Sequence, residues 1–306
     1  MNAGVERQST VNGIAYALAA IAIWTGFILI SRAGTLAALA MPDMLALRFG
    51  SAFLMLLPLA WRLRRKLADV RVLVLGLVGG LGYGLFVYSG FERAPATHAA
   101  LLLPGLMPIM IAVSAVLLAG ERKPARAWLG IAISSVGIMV LLFDTLLGSS
   151  DYWRGDICFV IACLCWAIYT ALLRSWSIDA WHATVGVVVV TALLYLPVYV
   201  LWMPSSLDQV AVEMLVTQVL YQGLLATIVQ MICYVRAVQS LGATRMGGLM
   251  ALVPVFAGGL AVPLFGEPLT VVLMSSMVLV FLGALIGNLP TDSFSRQRQL
   301  RGSCGA

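Results

Sequence analysis

The groups in this chain able to bind or react are few, and almost all are neutral. Trp24 and Thr25, Tyr83 and Tyr88, Trp166, Tyr169 and Thr170, and Gln218, Tyr221, Gln222, Gln230 and Tyr234 stand inside long apolar runs. Their chemistry is hydrogen bonding through indole, phenol, hydroxyl and amide groups, and stacking on aromatic faces. Residues three or four apart share a helix face. Trp166 and Tyr169 therefore point together, as do Gln218 and Gln222, and Gln230 and Tyr234. The last two pairs are turned from one another by roughly a quarter to a third of a turn, so both line one site only if its face is wide.

Catalysis asks for more than this. It needs a nucleophile with its base, a carboxylate pair, or a metal triad. The chain has no H-E-x-x-H, no G-x-S-x-G and only two histidines, His98 and His182. Its acids fall in predicted loops, tails or helix ends. Cys158, Cys163, Cys165 and Cys233 lie inside apolar runs and Cys304 near the C-terminus, without metal-ligand or disulfide spacing. No enzymatic activity, cofactor or metal is expected.

The elements that carry these residues follow from composition. Only 10% of the 306 residues are charged and 61% are hydrophobic, against about 25% charged in a soluble domain. Such a chain cannot cover itself with polar surface, so its solvent is a bilayer and lipid is its first partner. Stretches approaching or exceeding the roughly 20 residues needed to cross the hydrocarbon core occur at 12–31, 43–61, 71–91, 96–119, 126–144, 154–173, 182–203, 213–238, 244–265 and 269–289. Barrel strands run about 10 residues with strict alternation, unlike these runs, which are apolar on every face. The expected fold is an all-α integral membrane protein with ten transmembrane helices. With the N-terminus inside, all of the Lys and Arg except Arg32, Arg48, Arg93 and Arg154 fall on the inner side, which places both termini in the cytoplasm. The basic balance therefore reports orientation, and a nucleic-acid partner is not expected. Arg48 lies several positions into a span, from where its length lets it snorkel outward.

The chain also contains itself twice. "GIAYALAAIAIWTGFILISR" (13–32) matches "GDICFVIACLCWAIYTALLR" (155–174), with Gly13, Trp24 and Arg32 on Gly155, Trp166 and Arg174. Pro108 and Glu121 fall on Pro254 and Glu267, Ala96 and Thr97 on Ala243 and Thr244, His98 on Arg245, and Tyr83 on Gln230. This divides the chain into an N-terminal arm (1–11), a first five-helix repeat (12–144), an external linker (145–153), a second five-helix repeat (154–289) and a cytoplasmic tail (290–306). Five is odd, so the second repeat enters the membrane from the opposite side, an architecture whose halves rock about a midplane site. Glu267, the only charged residue between Met246 and Pro290, then belongs to a Gly-Glu turn. There a carboxylate faces the positive end of the helix that follows. The first repeat has its own version, "GERKP" (120–124).

Ten spans, the five-plus-five inverted repeat, a Trp in the first helix of each half and the paired Gly-Glu turns resemble the EamA-type transporters of the drug/metabolite transporter superfamily. Within it, "LGYGLFVYSGFERAPATHAALLLPGLMPI" (81–109) is most similar to the YddG-type bacterial aromatic amino acid exporters. The resemblance implies a bacterial inner-membrane location and a central cavity lined by both halves. It also implies export of aromatic and other amino acids, or of other small metabolites, drugs or cationic compounds. The small pumps of that superfamily use a glutamate in the first helix for proton exchange; this chain has none there, which favours uncoupled, facilitated movement of a small-molecule substrate. A monomer is expected to suffice.

Trp24, Tyr83, His98, Trp166, Tyr169, Gln230 and Tyr234 are the expected substrate-binding residues. His98 either meets a substrate carboxylate or titrates in the cavity, or else faces the surface; Tyr88 and Tyr221 read equally as belt residues at the membrane interface. The orientation has a direct test. In whole cells, an impermeant thiol reagent is expected to reach a cysteine placed in 145–152 and to miss one placed in 62–71; the reverse pattern would invert the assignment.

Overall fold

Without water, a backbone must close its own hydrogen bonds, and every regular element among the described residues is helical. The computed structural model describes residues 3–119, 124–147, 151–241, 246, 249–250 and 252–288. The Gly120–Glu121 turn, Arg122, Lys123, Ala243, Thr244, Arg245 and the tail with Cys304 lie outside them, as do the side chains of Pro108 and Arg174. The longer helices are α1 (Ala3–Leu36), α2 (Met41–Leu67), α3 (Val70–Arg93), α4 (Ala96–Ala119), α5 (Ala125–Leu147), α6 (Trp153–Ser175), α7 (Ala180–Trp202), α8 (Val212–Leu241), α9 (Val253–Phe265) and α10 (Val271–Asn288). Seven of them, α1–α3 and α5–α8, are long and apolar enough to cross a membrane; α9, α10 and the stretch Ala96–Met107 of α4 are shorter apolar helices.

One boundary differs from expectation. Helix α1 begins at Ala3, so most of the expected arm is helical. Helix α9 runs Val253–Phe265 with Pro254 in its first turn, where proline's missing N–H costs nothing; ahead of it Met246, Leu249 and Met250 are helical too.

The packing is reciprocal under the repeat. Gly137 and Gly283 are 146 residues apart, as are Gly130 and Ser276. A Cβ on Gly130 would sit 2.5 Å from Gly283 O, and one on Gly137 would sit 2.8 Å from Ser276 O. Helices α5 and α10 thus touch backbone to backbone through the same residues taken in both orders, as a two-fold axis between them requires. The repeated Gly13 and Gly155 have the same logic. Gly13 of α1 lies against Ser240 and Leu241 at the end of α8, and Gly155 of α6 against Ala94 at the end of α3.

The end of the bundle where α1 finishes and α4 begins is tied by buried carboxylates. Asp43 of α2 accepts from Ser206 N (2.8 Å), Ser206 Oγ (2.6 Å), Ser205 Oγ (3.0 Å) and the Tyr199 hydroxyl, holding the α7–α8 connection. Asp156 of α6 meets His98 Nδ1 of α4 at 2.9 Å. Glu267 reaches furthest. Gly266 ends α9 at φ 65°, the left-handed conformation glycine adopts freely. The next side chain then leaves its own helix; α10 is capped instead by Thr270 Oγ1, which accepts from Leu273 N at 3.1 Å. Glu267 accepts from Ala96 N and Thr97 N of α4, both at 2.8 Å, and from Arg32 Nε of α1 at 3.1 Å, while Arg32 Nη1 donates to Phe91 O at 3.2 Å. The helix dipole it faces is that of α4, a correction to the sequence reading, which assigned it to the helix that follows.

Removing that carboxylate orphans two backbone N–H groups and a largely buried guanidinium. Glu267→Ala is expected to cost about 3 kcal/mol, and Glu267→Gln less, since an amide oxygen still accepts. Thermal melts of the purified protein check this; equal melting of all three chains would remove Glu267 from its capping role.

Candidate functional site

Two tryptophans organise the middle of the bundle, one from each repeat. Trp24 of α1 donates its indole N–H to the Gln230 side-chain oxygen of α8 at 2.7 Å, in the amide orientation that also lets the Gln230 nitrogen donate to Ala20 O at 3.1 Å. Trp166 of α6 packs on Tyr83 of α3 with ring centroids 5.2 Å apart, and on Tyr169 at the same distance. Trp24 matches Trp166 in the repeat, and Gln230 matches Tyr83. The two pairs are therefore one arrangement written twice, each reaching from the first helix of one half to the third helix of the other. Gln230 is 8% exposed and Tyr83 3%, while both indoles are half-buried.

The backbone marks the same two places. Helix α3 is a π-helix over Gly76–Gly82, ending where Tyr83 begins, and α8 is a π-helix over Val219–Val229, ending where Gln230 begins. Such segments weaken the regular ladder and recur at functional positions. In α3 the Tyr169 ring lies on Gly79, a close approach that a glycine permits. In α8, Gly223 receives Ser51 of α2.

Toward the end where α1 finishes, a polar chain links three helices. Tyr88 of α3 donates to Gln222 Oε1 at 3.1 Å, Gln222 Nε2 donates to Ser31 Oγ of α1 at 2.9 Å, and Ser31 donates to Phe27 O at 2.6 Å. Gln218 Nε2 donates to Ile30 O at 2.7 Å. Tyr88 is fully buried, so it is no belt residue, while Tyr221 donates into α1 at Ile23 O (3.3 Å). Phe27 packs on Trp24 (6.3 Å) and Tyr88 (6.4 Å) and so joins the central pair to this chain. Arg48 does not snorkel: it is 9% exposed, lies over Phe27 and Phe49, and donates through Nε to Thr227 Oγ1 of α8 at 3.1 Å.

The expected residues thus separate. Trp24 with Gln230, and Tyr83 with Trp166 and Tyr169, form the two pairs. His98 stands apart at the carboxylate-tied end, against Asp156 and edge-on to Tyr152 at 5.4 Å. Tyr234 is 43% exposed and joins neither pair. Sequence reasoning passed over Phe27, Ser31 and Thr227; an apolar ring and two small hydroxyls carry no pattern that distinguishes them from packing. Arg48 had one available signal, a cation well inside a span. No group of three or more His, Cys, Asp or Glu able to hold a metal ion occurs among the described residues.

The EamA-like transporter family model matches residues 11–143 and 153–289, one copy on each repeat. The uncharacterized transporter YyaM of Bacillus subtilis (strain 168) is 23% identical over 71% of this chain and 72% of its own length. The aromatic amino acid exporter YddG of Ancylobacter novellus is 28% identical over 44% of this chain and 47% of its own. A solved structure, titled only as a crystal structure of a protein, superposes with a TM-score of 0.62 and 23% identity, covering 92% of this chain and 96% of that one.

The two pairs should behave as units. In double-mutant cycles on melting and counterflow, Trp24→Phe with Gln230→Leu, and Tyr83→Leu with Trp166→Leu, are each expected to show coupling of about 0.5–1.5 kcal/mol. Trp24→Phe with Trp166→Leu is expected to be close to additive. Additivity within both pairs would dissolve the assignment.

Proposed function

Because the chain belongs to the EamA-like transporter family, and is therefore a multi-pass membrane transporter of small molecules, we propose that it exports amino acids, aromatic and other neutral ones. Export proceeds by alternating access across the bacterial inner membrane, with ten spans and both termini cytoplasmic. The observation that carries this reading is the repeated Trp pair: two aromatic-polar contacts, each joining the two halves, each directly after a π-helix. Aromatic walls with neutral hydrogen-bonding groups suit a zwitterion, which brings its own opposed charges. The similarity to an aromatic amino acid exporter supports the cargo.

The mechanism follows from what joins the halves. In the orientation read from the basic loops, the Glu267–Arg32–α4 cluster and the His98–Asp156 pair lie at the outer face. They bridge helices of both repeats, so opening outward must break or carry them. Reciprocal contacts between α5 and α10 leave a pivot on the two-fold axis. Tryptophan or phenylalanine would displace the Tyr83–Trp166 and Trp24–Gln230 contacts and take their place, lowering the cost of parting the halves.

Among the described residues no acid hydrogen-bonds to either central pair; in this reading transport is facilitated and the cell's own production of metabolite drives it outward. The buried His98–Asp156 pair favours one second reading, in which it carries a proton in exchange for substrate. The experiment is accumulation of a neutral amino acid in proteoliposomes with the membrane potential clamped. Facilitated transport is expected to give counterflow without any ion gradient and a steady state at equilibrium with or without a pH difference. Accumulation above equilibrium that a protonophore collapses and His98→Ala abolishes would replace this reading with the second.

A further inference from the structure

We infer that Arg48 is the anion anchor of the transport site and takes the carboxylate of the substrate; this rests on the export reading for the rest of the ligand. Charged side chains inside a membrane protein are costly and usually functional, and a buried one ordinarily has a counter-ion. Arg48 has none. The ion pairs among the described residues include Arg32 with Glu267, Arg93 with Glu92, His98 with Asp156 and His182 with Asp179, and none involves Arg48. Arg48 is nonetheless only 9% exposed.

Its surroundings hold it in place without neutralising it. Nε donates to Thr227 Oγ1 at 3.1 Å, just ahead of Gln230 on the π-helical segment of α8. The carbon of the guanidinium lies 5.1 Å from the Phe27 ring centroid and 5.5 Å from that of Phe49. Nη1 is buried and has no hydrogen-bond partner. An arginine oriented on one side, and left with an unused donor on the other, is built to receive an oxygen anion.

The ligand chemistry follows from what is beside it. One guanidinium among neutral phenols and amides matches one negative charge, a carboxylate. Phe27 touches both Arg48 and Trp24, so a carboxylate on Nη1 leaves the remainder of a small molecule within reach of the central tryptophan pair.

The test uses the full-length protein in nanodiscs and three probes: L-tryptophan, tryptamine, which lacks the carboxylate, and indole-3-propionate, which lacks the amine. Arg48→Gln is expected to weaken tryptophan and indole-3-propionate by about 10- to 100-fold and to leave tryptamine unchanged. Thr227→Val, which frees Nε, should give a smaller loss with the same selectivity. The ratio of tryptophan to tryptamine affinity is the readout, so a reduced active fraction does not affect it. If Arg48→Gln is not monodisperse, Arg48→Lys carries the same ratio, with an intermediate loss expected from a single point charge. Equal weakening of all three probes, an unchanged ratio, or a wild type that binds neither carboxylate would overturn the proposal. A wild type that binds indole-3-propionate through Arg48 yet shows no amino acid counterflow would end the export reading and leave the anion site standing.

Discussion

A polar group inside this bundle has no water to turn to, so one left without a partner on another helix is costly. That constraint arranges most of the structure. The indole N–H of Trp24 needs an acceptor and finds Gln230; the amide nitrogen of Gln230 needs one and finds Ala20 O. Gln222 bridges Tyr88 and Ser31, and Gln218 closes on Ile30 O. Every one of these bonds runs between repeats, because α8 of the second half packs on α1 and α2 of the first and reaches Tyr88 of α3. The groups that hold the halves together are therefore the groups a substrate must compete with, and in the reading proposed here binding and opening are one event.

Symmetry distributes the packing but not the chemistry. The α5–α10 contact is reciprocal to the residue, and Gly13 and Gly155 do the same work at opposite helix pairs. The two tryptophans have unlike partners, an amide for Trp24 and a phenol ring for Trp166. A backbone-level two-fold gives a transporter two equivalent ways to close. In the proposed export of a zwitterion, unlike side chains at equivalent positions would give it one oriented site, since a zwitterion has two different ends.

The acids show the opposite division. Among the described residues the buried ones, Asp43, Asp156 and Glu267, sit at helix ends and are hydrogen-bonded there. The inner stretch of the helices has a cation, Arg48, and no carboxylate paired with it among the described residues. In the proposed reading this arrangement leaves a positive charge to the cargo and keeps the strong ion pairs where the bundle must be closed against water.

The sequence by itself determined the solvent, the helical class, the two repeats and the residues of both central pairs. All of these are local or periodic: long apolar runs, a repeat of fixed length, a few aromatic and amide groups with nowhere polar to go. Tyr83, Trp24, Trp166, Tyr169 and Gln230 were legible for that reason. Only the tertiary structure decided who meets whom. It turned Glu267 away from its own helix onto α4 and Arg32, because a left-handed Gly266 redirects the chain at a scale that pattern does not encode. It placed π-helices before Tyr83 and Gln230, set His98 on Asp156, and buried Tyr88. It also held Arg48 inside the bundle, where the sequence allowed it to snorkel. A long side chain reaches either water or a neighbour, and the choice depends on whether an opposing helix supplies the ring and the hydroxyl that receive it, as α1 and α8 do here.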